Sequence, residues 1–162
     1  MNPTHSVGYL LQHIAGTLSR QSDQVLQERL GLGMAQYRIL MIVQWHPGLG
    51  QRQLADCLGQ TEASISRQVK LLHEKGLLTT EVDPAERRRH ITKPSAKGVK
   101  ITEAAREVLN TYQAPLLHGM TDKQQAQFLR TLTTLHERIC APGRPMICDQ
   151  PFDIETVYAS QQ

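Results

Sequence analysis

Apolar residues recur along the chain at the three- to four-residue spacing of amphipathic helices, and helix breakers separate the stretches. The first stretch runs from about His5 to Leu30 and meets Gly31 and Gly33, which favour the end of a helix. The second runs from about Ala35 to Trp45 and is closed by Pro47, because a proline disfavours helix at the residue before it. The pattern therefore predicts two helices, each with a buried face.

Two short helices and a tight turn are predicted next. Gln51–Leu58 has the pattern of one helix, and Thr61 is a suitable N-cap for another, from about Glu62 to Lys75. Ala55 allows the two helices to cross closely, Gly59 permits a turn with positive φ, and Ile65 fills the angle between them. This spacing is typical of a helix-turn-helix.

A β-hairpin is predicted directly after these helices. Leu77–Val82 and His90–Lys93 are rich in β-forming residues and flank a charged loop opened by Asp83–Pro84. The fold class is therefore predicted as mainly α with a small β-hairpin, a winged helix-turn-helix.

Two longer helices complete the pattern. Ser95 is the expected N-cap of a helix that continues through Tyr112 and is kinked or ended by Pro115. Thr121 and Gln124 form a capping-box pattern for the last helix. Its apolar stripe consists of Phe128, Leu132, Leu135 and Ile139.

The positive charge of the chain is concentrated in one segment. Residues 61–98 hold eight of the 18 Lys and Arg and five of the 15 Asp and Glu, so the rest of the chain is neutral and the net charge of +3 belongs to this segment. A local basic surface indicates a polyanionic partner, although a solvated basic loop would look the same on charge alone.

The helix predicted from Glu62 has two different faces. Ile65, Val69 and Leu72 group on one side as core, while small and basic residues occupy the other, where they can enter a major groove. The arginines of the wing loop can enter a minor groove or hold phosphates. The predicted DNA-binding residues are Thr61, Ala63, Ser64, Ser66, Arg67, Lys70, Arg87, Arg88 and Arg89.

From about Tyr9 to Ile139 the chain resembles the MarR family of bacterial winged helix-turn-helix transcriptional regulators. The resemblance is carried by LGLGMAQYRIL, QRQLADCLGQTEASISRQVKLLHEKGLL and DPAERRRHITKPSAKG. In the wing, Glu86 stands where the family usually has Asp, and Pro94–Ser95 replaces a Leu-Thr pair. Because Pro94 lacks a backbone donor, we expect it to shorten or shift the end of its strand.

The resemblance implies a homodimer in which the N- and C-terminal helices of the two chains are interleaved into one dimerisation region. The dimer would present two recognition helices to a palindromic operator in double-stranded DNA, with half-sites about 10 bp apart. The expected organisation is a helical dimerisation region at 5–34 and 99–140, a DNA-binding domain at 35–98 and a tail at 141–162. Apolar stripes on the first and last helices support dimerisation independently, since they are too apolar to be left in water. The alternative is that they pack within one chain.

Many members of this family release DNA when they bind a small anionic or phenolic compound between the dimer helices and the DNA-binding lobe. The resemblance therefore implies a repressor with an aromatic or anionic effector, which Arg38 could hold through a carboxylate and His13 through a donated hydrogen bond. The alternative is that these side chains belong to the core or to an ion pair. The candidate pocket residues are Tyr9, His13, Tyr37, Arg38 and Trp45.

Other functions are weaker alternatives. A redox-responsive regulator would use Cys57, Cys140 or Cys148, but Cys57 has the pattern of a packing residue. The alternative from another class is a winged-helix protein-interaction module that does not read DNA.

The sequence has no motif typical of a metalloprotein, an enzyme, a membrane protein or an exported protein. The seven histidines form no metal-ligand spacing, and neither a phosphate loop nor a nucleophile motif is present, so we expect no metal, no cofactor and no enzymatic activity. No apolar run is long enough for a membrane span and the N-terminus does not have the pattern of a signal peptide, so we expect a cytoplasmic protein.

Overall fold

The computed structural model describes residues 6–82 and 90–139. Within these ranges the chain forms helices α1 to α6, a short 3-10 turn at Ala114–Leu117 and one two-stranded antiparallel sheet. None of the helices in these ranges has the length and hydropathy needed to cross a lipid bilayer. In chain order the elements are α1 (Val7–Leu30), α2 (Met34–Trp45), α3 (Gln51–Leu58), α4 (Glu62–Glu74), β1 (Leu78–Val82), β2 (His90–Pro94), α5 (Ala96–Gln113) and α6 (Asp122–Ile139).

The helix ends are set by the capping residues that the sequence indicates. The hydroxyls of Thr61 and Ser95 accept hydrogen bonds from the third backbone amide of α4 and α5, as N-caps do. Gly31 ends α1 at φ 60°, and the Thr121–Gln124 capping box opens α6 through an amide-to-Oε1 bond of 2.8 Å. These boundary predictions are confirmed.

The helix-turn-helix has the predicted geometry. Gly59 adopts φ 61° at the end of α3, and the amide of Gln60 bonds the Ala55 carbonyl at 3.0 Å. Ala55 of α3 is buried, and Ile65 of α4 is fully buried in the same core. The fold class is confirmed as a mainly helical winged helix-turn-helix with one small hairpin.

The hairpin pairs Leu78 with Pro94 at one end and Val82 with His90 at the other. The expectation that Pro94 shortens or shifts the strand end is wrong, since the strand extends through this residue. Pro94 is the last residue of β2, where the ladder does not need its missing donor. The next amide, that of Ser95, continues the contact by donating to the Leu77 carbonyl at 3.0 Å.

One hydrophobic core is centred on α2 and joins it to α1, α4 and α5. Ile39, Leu40 and Val43 of α2 are completely buried, in agreement with the sequence pattern. The fully buried side chains contributed by other segments include Leu26, Leu32, Ile65, Leu72 and Ala105.

Two apolar stripes remain outside this core. On α1, Leu10 and Ile14 are exposed, Ile14 to 51%. On α6, Phe128 and Ile139 are exposed, and this helix buries none of its described residues. A single chain therefore leaves uncovered the two surfaces that the sequence marks as too apolar for water.

Gly98 permits the close approach of α5 to the start of the hairpin. A Cβ at this position would lie 2.1 Å from the Leu77 carbonyl oxygen, far inside van der Waals contact. We expect Gly98→Ala to lower the free energy of unfolding by about 3 kcal/mol, because two packed elements must separate. Urea-induced unfolding followed by circular dichroism measures this loss.

Gly16→Ala is the matched control, since its Cβ would meet only the flexible side chain of Arg20, at 3.6 Å. This variant should be unchanged or gain about 0.5–1 kcal/mol, as alanine is favoured over glycine within a helix. Equal free energies of unfolding for the two variants would show that α5 does not need a glycine at position 98 to pack against Leu77.

Candidate nucleic-acid interface

Helix α4 lies with one face in the core and the other open to solvent. Ile65, Val69 and Leu72 are buried, as predicted. The predicted contact residues on the opposite side, Ala63, Ser66, Arg67 and Lys70, are exposed. The helix therefore presents small residues near its N-terminus and two cations further along, which is a shape and charge that suit a major groove.

Lys70 forms a weak ion pair with Glu74, with Nζ and the carboxylate oxygen 3.9 Å apart on the exposed face. Exposed i, i+4 pairs contribute little free energy. The ammonium group can therefore exchange this carboxylate for a phosphate at little cost.

The first turn of α4 is held by hydrogen bonds within the chain. The Thr61 hydroxyl accepts from the Ser64 amide at 3.2 Å, and the Ser64 hydroxyl donates to the Gln60 side chain at 3.2 Å. Both predicted DNA-binding residues thus have structural partners in the absence of a ligand. This arrangement orients the start of α4, and the partner of Ser64, Gln60, lies in the turn after α3.

The segment after α4 is joined to the start of α5. The Ser95 hydroxyl donates to the Gly76 carbonyl at 2.7 Å and accepts from the Gly98 amide at 3.0 Å. Lys97 Nζ donates to the Lys75 carbonyl at 3.0 Å. These bonds fix the far end of α4 to the helix that follows the hairpin.

The base of the wing is held to α4 and across its own strands. Thr80 Oγ1 lies 3.3 Å from His73 Nε2, and Lys93 Nζ lies 2.6 Å from a Glu81 carboxylate oxygen. The predicted contact residues Arg87, Arg88 and Arg89 lie outside the described residues, as does the tail at 141–162.

The candidate effector residues fall into separate places. Tyr9 and His13 stack on α1, with ring centroids 5.8 Å apart and planes 6° apart. Tyr37 is buried in the core, where burial raises the pKa of its phenol and the nearby Arg106 lowers it in part. Trp45 is 63% exposed at the end of α2.

Arg38 lines an open cavity of about 440 Å³ between α1 and α2. Arg38 is half-buried. Arg20 and Asp23 contribute from α1, and Gln60 contributes from the turn before α4. Asp23 is occupied, because its Oδ1 accepts from the Met34 amide at 2.7 Å. The cavity thus combines two guanidinium groups with a side chain that also bonds the recognition helix.

Cys57 is half-buried on α3, and burial raises the pKa of its thiol, with the Asp56 carboxylate raising it further. A raised pKa reduces the thiolate fraction and hence the reactivity toward oxidants. Cys140 and Cys148 lie outside the described residues.

These features define a winged helix-turn-helix fold with an exposed basic face on α4. The sequence profile described as MarR family matches residues 30–89. The curated transcriptional regulator HosA of Escherichia coli O111:H- is 26% identical over 95 residues, which cover 59% of this chain and 70% of HosA. Residues 30–89 are therefore similar to the MarR family.

Solved structures share the fold. A Staphylococcus aureus MepR–DNA complex matches with a TM-score of 0.66 at 22% identity, covering 86% of this chain and 99% of MepR. A Mycobacterium tuberculosis MarR-family protein in complex with salicylic acid matches with a TM-score of 0.71 at 24% identity, covering 83% of this chain and 99% of that protein.

Several residues that shape the interface were not apparent from the sequence. The sequence predicts Ser95 as a cap, but its second bond, to Gly76, depends on how α5 packs beside the end of α4. Gln60 and Asp23 act on neighbouring helices, and nothing in their local sequence indicates these partners. A polar residue just before a helix N-cap, such as Gln60, is the sequence signal that indicates a side-chain partner for the first turn.

The two bonds of Ser95 give a test of how the end of α4 is fixed. We expect Ser95→Ala to lower the free energy of unfolding by about 2 kcal/mol, because it removes a helix cap and leaves the Gly76 carbonyl without its donor. Ser95→Thr keeps the hydroxyl and should lose less than half as much. Denaturant unfolding compares the two, and an alanine variant as stable as the wild type would contradict the role of Ser95.

Proposed function

We propose that this protein is a sequence-specific DNA-binding transcriptional regulator that inserts α4 into the major groove. The observation that carries the proposal is the exposed face of α4, where Ala63 and Ser66 allow close approach and Arg67 is long enough to reach guanine O6 and N7. The opposite face is buried and hydrogen bonds join both ends of the helix to neighbouring segments, so this surface is oriented before DNA binds.

The contacts divide by chemistry. Arg67 is assigned to base recognition because it lies in the middle of the exposed face. Lys70 and the wing arginines are assigned to phosphates or the minor groove, with Arg87 to Arg89 placed there by sequence alone. Thr61 and Ser64 lie at the N-terminus of α4, whose dipole favours a phosphate.

A homodimer is the functional unit in this proposal. The apolar stripes of α1 and α6 are exposed in a single chain, and burial against the same stripes of a second copy would remove them from water. The dimerisation region is then 5–34 and 99–140, and 35–98 carries the DNA-binding domain. Two copies of α4 would read a palindromic operator with half-sites about one helical turn apart.

We propose that an anionic aromatic effector binds beside Arg38 and releases the DNA, so that the protein acts as a repressor. Arg38 makes no hydrogen bond or ion pair with any described residue and faces the cavity shared with Arg20. A ligand there would contact Gln60 and so act on Ser64 in the first turn of α4. The other effector-pocket residues predicted from the sequence are Tyr9, His13, Tyr37 and Trp45.

The alternatives differ in measurable ways. A winged-helix interaction module would leave Arg67 without a nucleic-acid role, and a redox regulator would need a reactive thiol, which the raised pKa of Cys57 disfavours. We further propose that the protein acts without catalysis and in the cytoplasm, where the DNA of a bacterial regulator lies.

The division between base and phosphate contacts predicts different behaviour for two arginines. Against a duplex selected by the wild type from a random library, Arg67→Ala should cost about 1–3 kcal/mol and broaden the sequence preference. Arg88→Ala should weaken selected and random duplexes alike and reduce the salt slope of log affinity by about 0.9. Fluorescence anisotropy across a salt series measures both.

Arg130→Ala, on the exposed surface of α6, is the matched control and should bind like the wild type. Identical behaviour of the Arg67 and Arg88 variants across sequences would contradict the assigned roles. A wild type with no preference for any selected duplex would contradict the regulator itself.

The effector proposal predicts that salicylate or benzoate raises the melting temperature and lowers DNA affinity. At about 100 times the dissociation constant the ligand should add about 2.7 kcal/mol of stability. Arg38→Met should abolish both effects while leaving DNA affinity without ligand unchanged. A thermal shift that persists in this variant would place the ligand elsewhere.

A further inference from the structure

The side chain of Lys75, which directly follows α4, reaches the junction between α1 and α2. Its Nζ donates to the Gly31 carbonyl at 2.8 Å and to the Gln36 Oε1 at 3.2 Å. These partners are 44 and 39 residues away in sequence, so the contact is purely tertiary. An ammonium group has three donors, and two of them are used here.

The acceptors belong to a closely bonded junction. Gly31 ends α1, where the unsatisfied carbonyls carry negative partial charge that favours a cation. Gln36 is buried, and its Oε1 also accepts from the Gly33 amide at 3.3 Å. Asp23 bonds the neighbouring Met34 amide. Lys75 is therefore bonded to a junction that has its own hydrogen bonds between α1 and α2.

The length of α4 makes the position of its first turn sensitive to its orientation at Lys75. Helix α4 has 13 residues and is about 20 Å long, so a small rotation at its Lys75 end displaces the contact residues at the other end. Helix α1 carries the exposed apolar stripe that ends in Ile14. Lys75 thus connects the surface proposed to read DNA with the surface proposed to form the dimer.

We propose that Lys75 is a positioning residue that sets the angle between α4 and α1, and thereby the distance between the two recognition helices of a dimer. The proposal rests on the function proposed above. Lys75 contacts no base in this account. Its contribution is to the choice of half-site spacing rather than to the affinity of one half-site.

The test uses the full-length protein and Lys75→Met, which keeps the length of the side chain and removes the donors. An operator is first selected from a random duplex library with the wild type. Affinities are then measured for this operator, for versions with the half-site spacing changed by one base pair in each direction, and for random duplex.

The wild type should prefer the selected spacing, and Lys75→Met should bind that operator about tenfold more weakly. The variant should also discriminate less between spacings, because its recognition helices adopt a wider range of angles. Random-duplex affinity and its salt slope should not change, since Lys75 holds no phosphate. A merely destabilising substitution would not alter the spacing preference.

Two further variants complete the design. Lys75→Arg retains donors and should restore the spacing preference, and Lys100→Met removes an exposed lysine of α5 and should bind like the wild type. If Lys75→Met is unfolded by circular dichroism, Lys75→Gln, whose shorter side chain cannot reach Gly31, takes its place.

A variant with the wild-type spacing preference overturns the inference while leaving the proposed function intact. A fall in salt slope of about 0.9 also overturns it, because Lys75 would then contact a phosphate. A wild type that selects no duplex overturns both proposals together.

Discussion

The structure depends on the burial of one face of α4 while the opposite face stays in solvent. Ile65, Val69 and Leu72 are buried in the core that α4 shares with α2, and Arg67 and Lys70 are exposed on the opposite side. A recognition helix of 13 residues has little stability of its own, so its orientation must come from tertiary packing. The core, the caps and the hairpin are arranged around that requirement.

The hydrogen bonds at the two ends of α4 link it to different parts of the molecule. Gln60 bonds the first turn and borders the cavity beside Arg38, while Ser95 joins the far end to α5. A rigid helix with one attachment next to a cavity can respond as a unit to a ligand. The hydrogen bond of Gln60 thus links the proposed effector site to the proposed DNA surface without rearrangement of the core.

Local features of the fold could be predicted because they depend on nearby residues. Thr61 and Ser95 cap the helices that follow them, and Gly59 takes the positive φ that its position in the turn requires. Long-range partners could not be predicted in this way. The Lys75 contact to Gly31 and the approach of Gly98 to Leu77 arise only when distant segments pack together.

For the candidate site, the exposed face of α4 followed from helical periodicity, whereas the effector residues proposed from the family resemblance occupy separate places. Periodicity reports which side of a helix faces the core, but it does not report which helices enclose a cavity. Arg38 lines a cavity because α1 and the turn before α4 lie beside it. The effect of Pro94 on β2 could not be predicted for a similar reason, because it depends on Pro94 being the last residue of the strand.

The central claim is that α4 reads base edges in the major groove from a dimer. Methylation interference at guanine N7, with a duplex selected by the full-length protein, tests it most directly. We expect interference at guanines in two clusters about 10 bp apart, and loss of the interference at one guanine per half-site in Arg67→Ala. Binding that is indifferent to guanine methylation in both proteins would contradict it.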